Sequence, residues 1–310
     1  MENINWYPGH MKKTRELIIE NLKMVDVVVE VIDARIPISS RNPIIDEIIT
    51  NKRRIIALNK SDLADSRINS LWKEYFKEKD IICLPMNCVK GEGISQLMQT
   101  FEKIMEDKNK DSIRKRPLRI MIVGIPNVGK SSLINRLTGK KSAKTGNKPG
   151  VTRGKQWLNL SYNMQLLDTP GILWPKFEDP KVGVKLAYLG SIKDEILDIP
   201  TITLDLIDFL SKDYQALLMT RYKLAELGET PLETMEMIAK KRGFIMSADR
   251  YDYERTARTI IDEFRAGTLG RVSLEKPDDM FYYQIQKDEK AATLRDKKEE
   301  EKYEKALRKL

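Results

Sequence analysis

The chain has 310 residues, of which 41 % are hydrophobic and 33 % charged, with a formal net charge of +9. That length accommodates one large core or two ordinary ones, and the composition describes a globular protein with a highly charged surface. No apolar run approaches the roughly 20 residues needed to cross a bilayer, and "MENINWYPGH" lacks the basic start and apolar stretch of a secretory leader, so a cytoplasmic protein off the membrane is expected.

The two cysteines, Cys83 and Cys88, are expected to be buried thiols rather than a disulfide, and with one histidine in the chain no Cys/His zinc site is expected. Charge is uneven. Residues 1–180 carry 31 basic and 21 acidic side chains, whereas 181–283 carry 15 and 18. The densest stretch, Lys140–Lys155 ("KKSAKTGNKPGVTRGK"), holds six basic residues and no acid. It reads equally as a face for a polyanion or as a solvated surface.

In chain order, "VDVVVEVIDAR" (25–35) is a nearly unbroken apolar, β-branched run, as for a parallel strand covered on both faces. "RRIIALNKSD" (53–62) is a second strand ending in polar residues, and "DIICLPMN" (80–87) a third. Helical patterns follow the second strand ("SRINSLWKEYFKEK") and the third ("GISQLMQTFEKIMED"), and then comes the polar connector "KNKDSIRKRP". A fourth strand, "LRIMIVG", delivers "IPNVGKSSLINRLTG" as a turn and helix, and "QWLNLSY" and "MQLLDTPG" complete six. Strands alternating with helices predict a doubly wound α/β sheet of the P-loop NTPase kind. After Pro180 the spacing turns helical throughout, with turn residues between the stretches "VGVKLAYLGSI", "TLDLIDFLSKDYQALLMTRYKLAEL", "TPLETMEMIAKKRG" and "DYERTARTIIDEFRAG". The expected division is a nucleotide-binding domain over 1–178, a smaller all-α domain over 179–283 and a charged tail over 284–310.

"GIPNVGKS" (124–131) fits G-x-x-x-x-G-K-S between an apolar strand and a helix. Gly124 and Gly129 let backbone amides turn toward phosphate oxygens, Lys130 supplies charge to the β and γ phosphates, and the Ser131 hydroxyl can ligate Mg²⁺. "DTPG" (168–171) ends another strand, where Asp168 can reach the metal through water and the Gly171 amide can sense the γ phosphate. Between them, Thr152 in "PGVTRG" could close over the metal.

"NKSD" (59–62) can read guanine, because the Asp62 carboxylate accepts from both N1–H and the 2-amino group, a donor pair adenine lacks. A site built on such hydrogen bonds rejects the analogue lacking them by roughly 10⁴–10⁵-fold. Asn59 would brace the loop and touch the base, Lys60 would lie along the ring, and Asn87 and Cys88 in "NCVKGEG" would supply backbone contacts to the guanine oxygen. The base-reading motif ordinarily follows the phosphate loop, yet here it precedes it. If the ends of an ordinary sheet were joined through "KNKDSIRKRP" and new termini opened after "DTPG", every motif would keep its place in space while the order rotates.

These motifs, with "WYPGHMKKT", "DARIPISSRNP", "DTPGILWP" and "FRAGTLGRVSLE", make the chain similar to the circularly permuted GTPases of the YlqF/RbgA type up to about residue 283. The resemblance implies a circularly permuted GTPase that uses GTP and Mg²⁺ and binds rRNA and proteins of the large (50S) ribosomal subunit precursor late in assembly, its helical domain contacting RNA. It implies nucleotide contacts from Asn59, Lys60, Ser61, Asp62, Asn87, Cys88, Asn127, Val128, Gly129, Lys130, Ser131, Ser132 and Gly171. Hydrolysis would yield GDP and drive release, with Lys130 serving catalysis.

Ile172 stands where related GTPases carry a water-orienting glutamine, so turnover alone is expected to be slow. By itself His10 in "YPGHM" reads as a structural or RNA-contacting histidine; the resemblance gives it the catalytic place, where an imidazole of ordinary pKa near about 6.5 can orient water. The resemblance also implies K⁺ at Asn127. "ILWPKFEDP" leads from "DTPG" straight into the helical domain and could carry loss of the γ phosphate to it. No dimerisation signal stands out, and a monomer is expected. Two other readings stay open: a GTPase regulating a protein partner, and a nucleotide-gated RNA-binding module with little catalysis.

Overall fold

The apolar run after Val25 sits in the middle of a sheet, because its side chains have a core to enter on either face. A computed structural model describes residues 16, 19–41, 45, 49, 52–139, 156–161, 163–168, 180–246 and 250–278. Strand β1 (Val27–Asp33) is buried at every position. Val27, Val29 and Val31 enter one apolar cluster, while Val28 enters another with Leu22, Ile45, Met121 and Leu167. Glu30, in the same strand, is fully buried, and a buried carboxylate has to be paired. It meets Arg54 on the next strand and lies 3.5 Å from Arg41.

Around β1 lie β2 (Arg53–Asn59), β3 (Ile82–Met86), β4 (Leu118–Val123), β5 (Gln156–Ser161) and β6 (Met164–Asp168), in the order β3-β2-β1-β4-β6-β5. All neighbours are parallel except β5 and β6, which pair antiparallel at the edge. The chain steps outward from β1 to β2 and β3, and β4 then pairs on the other flank of β1. The carboxyl edge between β1 and β4 is therefore a topological switch point, the place where open α/β sheets take ligands.

Helix α1 (Ser66–Glu78) buries Trp72 and Phe76, and α2 (Ile94–Asn109) buries Leu97, Phe101 and Ile104. Asp65 caps α1 by accepting from the Arg67 amide. The connector from α2 to β4 is pinned to the start of β1: Lys108 donates to Asp26 (2.7 Å) and to the Pro117 carbonyl (2.9 Å), and the Arg119 amide donates to the same carboxylate (2.8 Å). Helix α3 (Lys130–Thr138) follows the glycine turn after β4.

The helical lobe comprises α4 (Pro180–Tyr188), α5 (Ile199–Asp213), α6 (Gln215–Tyr222), α7 (Pro231–Arg242) and α8 (Tyr253–Ala266). The helical spacing over 203–227 is carried by two helices, α5 and α6. The first is capped by Asp198, whose side chain accepts from the Thr201 amide, and the two are separated at Tyr214 (φ −139°, ψ 34°). The break aims the Tyr214 hydroxyl at Ser273, where it accepts from the amide (3.0 Å) and donates to the carbonyl (3.2 Å). A tertiary contact overrides local helical spacing there. α7 starts on a full capping box of Thr230 and Glu233.

Apolar residues of this lobe, including Leu186, Leu206, Ile260 and Phe264, belong to the same cluster as Val31 and Val128. One compact unit runs to Leu274, and a second begins at Glu275. No helix among the described residues is long and apolar enough to cross a membrane.

Candidate functional site

The glycine turn after β4 is shaped by what presses on it. Gly124 (φ +152°) lies against β1, where a Cβ would sit 2.4 Å from the Val31 carbonyl oxygen. Gly129 (φ +102°) lies against the "NKSD" loop, where a Cβ would sit 2.2 Å from the Asn59 amide nitrogen. Only glycine fits either place. α3 then opens with Lys130, Ser131 and Ser132 in its first turn, all half-buried. A helix N-terminus beside a lysine suits an anion. Lys130 donates to the Ile125 carbonyl at 2.5 Å, which holds its ammonium within the turn.

β2 ends at Asn59, which register places beside Asp33 of β1. Buried Asn59 spans three segments: its amide donates to the Val128 carbonyl (2.7 Å), and its oxygen accepts from the Cys88 amide (3.0 Å). Lys60 adopts a left-handed backbone (φ +59°), as does Asn127 (φ +64°), and the two are joined, Lys60 Nζ donating to the Asn127 carbonyl at 2.8 Å. Left-handed non-glycine residues are costly and gather at functional sites. The "NKSD" loop and the glycine turn thus touch directly, two strands apart in the sheet and about seventy positions apart in sequence.

Ser61 is tied to the third segment, its hydroxyl and amide both donating to the Met86 carbonyl at 3.0 Å. Asn87 folds the "NCVKGEG" turn by accepting from the amides of Val89 (3.1 Å) and Lys90 (3.0 Å). Asp62 is half-buried beside them in the same loop. Cys83 and Cys88 are buried free thiols, as expected; burial pushes each up to about 12, against small opposing effects of Lys73 and Arg136. Such a thiol is unreactive, so Cys88 offers its backbone alone.

His10, Thr152, Gly171 and Ile172 lie outside the described residues, as does the "ILWPKFEDP" segment up to its last residue, Pro180, which opens α4. Asp168 is seen as the last residue of β6, and its side chain lies outside them too.

Several residues at the pocket carry no recognised motif role. Arg136 of α3 donates to the Cys88 carbonyl (3.3 Å) and to that of Val89, gripping the turn that would face the base. Asn127 donates its side-chain amide to the Gly190 carbonyl, and the Ser191 hydroxyl donates to the Pro126 carbonyl (3.3 Å), so the turn after α4 walls one flank of the phosphate loop. Asp33 accepts from Lys60 (2.9 Å) and, in two-pronged fashion, from Arg35 (3.0 and 2.9 Å). Burial works to raise the Asp33 pKa, but Arg35 and Lys60 outweigh it and hold the carboxyl well below the usual carboxylate range. Two charges at the mouth of an apolar strand were the available signal.

A family profile described as "50S ribosome-binding GTPase" matches residues 119–240. The chain is 46 % identical to ribosome biogenesis GTPase A of Bacillus cereus, covering 89 % of this chain and 95 % of the relative. It is 34 % identical to mitochondrial ribosome-associated GTPase 1 of Mus musculus, over 87 % of this chain and 90 % of that one. Among solved structures it is similar to GNP-bound YlqF from T. maritima (TM-score 0.59, 30 % identity, 86 % of this chain and 98 % of that chain). A GDP-bound YlqF structure gives a TM-score of 0.61 at 29 % identity, over 84 % of this chain and 99 % of that chain.

Proposed function

The chain belongs to the ribosome biogenesis GTPase A family, and on that premise we propose that it binds the large-subunit precursor late in assembly and leaves it when GTP is hydrolysed to GDP. As a member of that family it is a GTPase of ribosome assembly. The observation that carries the site reading is Asn59, one side chain bonded to both the phosphate loop and the Cys88 turn, which makes a single pocket of three distant segments.

In this reading guanine lies against Lys60 with Asp62 accepting from its N1–H and 2-amino group, while Ser61 and the backbone of the Asn87–Cys88 turn, whose own amides are bonded to the Glu92 carbonyl and the Asn59 side chain, close the pocket around the base edge. Phosphates rest on the amides of Asn127, Val128, Gly129 and Ser132, with the Lys130 ammonium between the β and γ groups. Ser131 stands in the first turn of α3, where a hydroxyl ligand suits Mg²⁺; Asp168 and Thr152 would complete that set, and Gly171 would meet the γ phosphate. Bound Mg²⁺ supplies charge neutralisation across the phosphates. Asn127 commits its amide nitrogen to Gly190, which keeps its side-chain oxygen available as a ligand of K⁺. His10 orients the attacking water.

We divide the work between a GTPase domain over 1–178, a helical ribosome-binding domain over 179–283 and a charged tail over 284–310, acting as a monomer in the cytoplasm. The basic run Lys140–Lys155 and the exposed Lys240 and Lys241 support contact with rRNA phosphates, and the slightly acidic balance of 181–283 leaves room for ribosomal proteins. The test is GTP turnover by the purified protein with and without large subunits, at low and high salt. Stimulation that fades with salt supports the proposal; equal, feeble rates throughout would favour a nucleotide-gated binding module instead.

A further inference from the structure

A closed ring of contacts passes through the nucleotide pocket and the helical lobe. It starts at the Asn127 carbonyl, which accepts from Lys60 (2.8 Å). Lys60 pairs with Asp33 (2.9 Å), and Asp33 pairs with Arg35 through both carboxylate oxygens. The remaining guanidinium nitrogen of Arg35 donates to the carbonyls of Phe264 and Arg265 (3.3 Å each), the last turn of α8, and its carbon lies 5.4 Å from the Phe264 ring centroid. Arg265 in turn donates to the carbonyls of Tyr188 (3.0 Å) and Ala187 (2.8 Å) at the end of α4, and pairs with Asp194 (2.8 Å). These bonds set the turn whose Gly190 carbonyl accepts from the Asn127 side chain, and the ring closes.

Two features give the ring a direction. Asp33 and Arg35 are buried, 1 % and 2 % exposed, so neither can exchange its partners for water. Lys60 is a quarter exposed, and it is the member that would lie along a guanine ring. The backbone beside Arg35 is fastened as well: its carbonyl accepts from the Leu274 amide (2.8 Å), while the Leu63 carbonyl, in the loop of Asp62, accepts from the Val272 amide (3.0 Å). The base-reading loop is thus held on one side by α8 and the segment that follows it.

We propose that Asp33 and Arg35 are positioning residues: they fix Lys60 for the purine and, through the carbonyls that end α8, make guanine-nucleotide binding and seating of the helical lobe mutually dependent. The proposal rests on the pocket assignment above and deepens it. Coupling of this kind is reciprocal, because whatever the lobe gains when nucleotide orders Lys60, nucleotide gains when the lobe is seated. A partner that pulls α8 away from Arg35 would loosen Asp33 and Lys60 and so promote nucleotide release, by a route that does not require the segment after "DTPG".

The experiment uses the full chain, with Asp33→Asn, Lys60→Ala and the double variant, and reads equilibrium affinity for GDP and for inosine diphosphate, which lacks the 2-amino group. Each single variant is expected to weaken GDP within the coupling range of about 5- to 150-fold. The double variant is expected to bind no more weakly than Lys60→Ala. The ratio of the two nucleotides stays at its wild-type value, since Asp62 rather than Lys60 reads the amino group. Additive losses, or an Asp33→Asn protein that binds GDP as tightly as wild type, would overturn the proposal. Should Asp33→Asn fold poorly, Lys60→Ala carries the second arm: GDP slows hydrogen exchange at the Gly267, Thr268 and Val272 amides in the wild type, and this slowing disappears at saturating GDP in the variant. Slowing that persists in Lys60→Ala refutes the coupling. A wild-type protein that fails to bind GDP at all would instead remove the pocket assignment itself.

Discussion

A Cβ on Gly129 would lie 2.2 Å from the side-chain nitrogen of Asn59. The glycine of the turn before α3 is thus required by the asparagine of the "NKSD" loop as well as by its own backbone angle (φ +102°). Asn59 cannot swing away, since its two ends are fixed on Val128 and Cys88. Gly129→Ala therefore combines left-handed strain, about 1–3 kcal/mol, with loss of one or both buried hydrogen bonds. GDP affinity should fall by at least about tenfold, one decade per 1.4 kcal/mol, as read by titration calorimetry. An alanine variant with wild-type affinity would show that the two loops separate freely.

Asp62→Asn exchanges an acceptor for a donor at the position we propose to face the base edge. Guanine's N1–H and 2-amino group then meet an amide that satisfies one of them at most, and GDP binding should weaken by about 10²-fold or more. Xanthine, with an oxygen at position 2, accepts from that amide and should become the favoured base. Competition between GDP and xanthosine diphosphate measures the swap, and an unchanged preference would remove Asp62 from base reading.

Most of this pocket could be read in the chain because each motif sits on a periodic apolar strand. "VDVVVEVID", "RRIIALN" and "LRIMIVG" name three adjacent strands whose carboxyl ends carry Asp33, Asn59 and Gly124. What could not be read depends on approach between segments. Arg35 looks like a surface charge after a strand, and its burial follows only once α8 ends above it. Gly190 looks like a helix stop, and its carbonyl gains a role only because Asn127 lies opposite. The break at Tyr214 has the same origin: helical spacing continues through it, and Ser273, fifty-nine residues on, decides otherwise. Local pattern reports burial, whereas pairing between lobes is set by tertiary docking.

Acid should act on the pocket through Asp33. Its folded-state pKa lies below the ordinary value of 3.8, so its pairing stabilises the fold fully above that value and is lost as pH falls below it toward the folded pKa. Stability from this group is therefore flat between neutral pH and about 4, and declines beneath. Asp33→Asn removes that decline but leaves Arg35 buried without its counter-charge, at a cost of about 3–5 kcal/mol. Urea midpoints from pH 7 to pH 3 should show a large offset at neutral pH that narrows in acid. A constant offset down to pH 3 would mean the carboxylate contributes nothing through its charge.

His10 is assigned to water orientation, a role that leaves nucleotide affinity untouched. His10→Ala should lower subunit-stimulated turnover by about 10²–10⁴-fold while GTP binding stays near wild type. Lost binding would instead make the histidine structural.

Gly267 offers a comparison with Gly129 that separates backbone strain from loop contact. It ends α8 in the left-handed region (φ +75°), and a Cβ there would lie 2.5 Å from a terminal carbon of Leu63. That distance is nearly as short as the one at Gly129, but the neighbour is the far end of a flexible apolar side chain rather than an amide held at both ends. Leu63 is half-buried and can rotate, so Gly267→Ala should cost mainly the backbone term, about 1 kcal/mol. For a chain of this size that corresponds to a fall of about 2–4 °C in thermal midpoint. The same displacement bears on the loop of Asp62, yet the Leu63 carbonyl keeps its bond from Val272 (3.0 Å), which holds the backbone while the side chain yields. GDP affinity should therefore change less than about threefold, within 0.7 kcal/mol of wild type. Calorimetric titration of Gly267→Ala beside Gly129→Ala decides the point: equal losses of affinity would mean that Leu63, and not the backbone beneath it, sets the position of the base-reading loop.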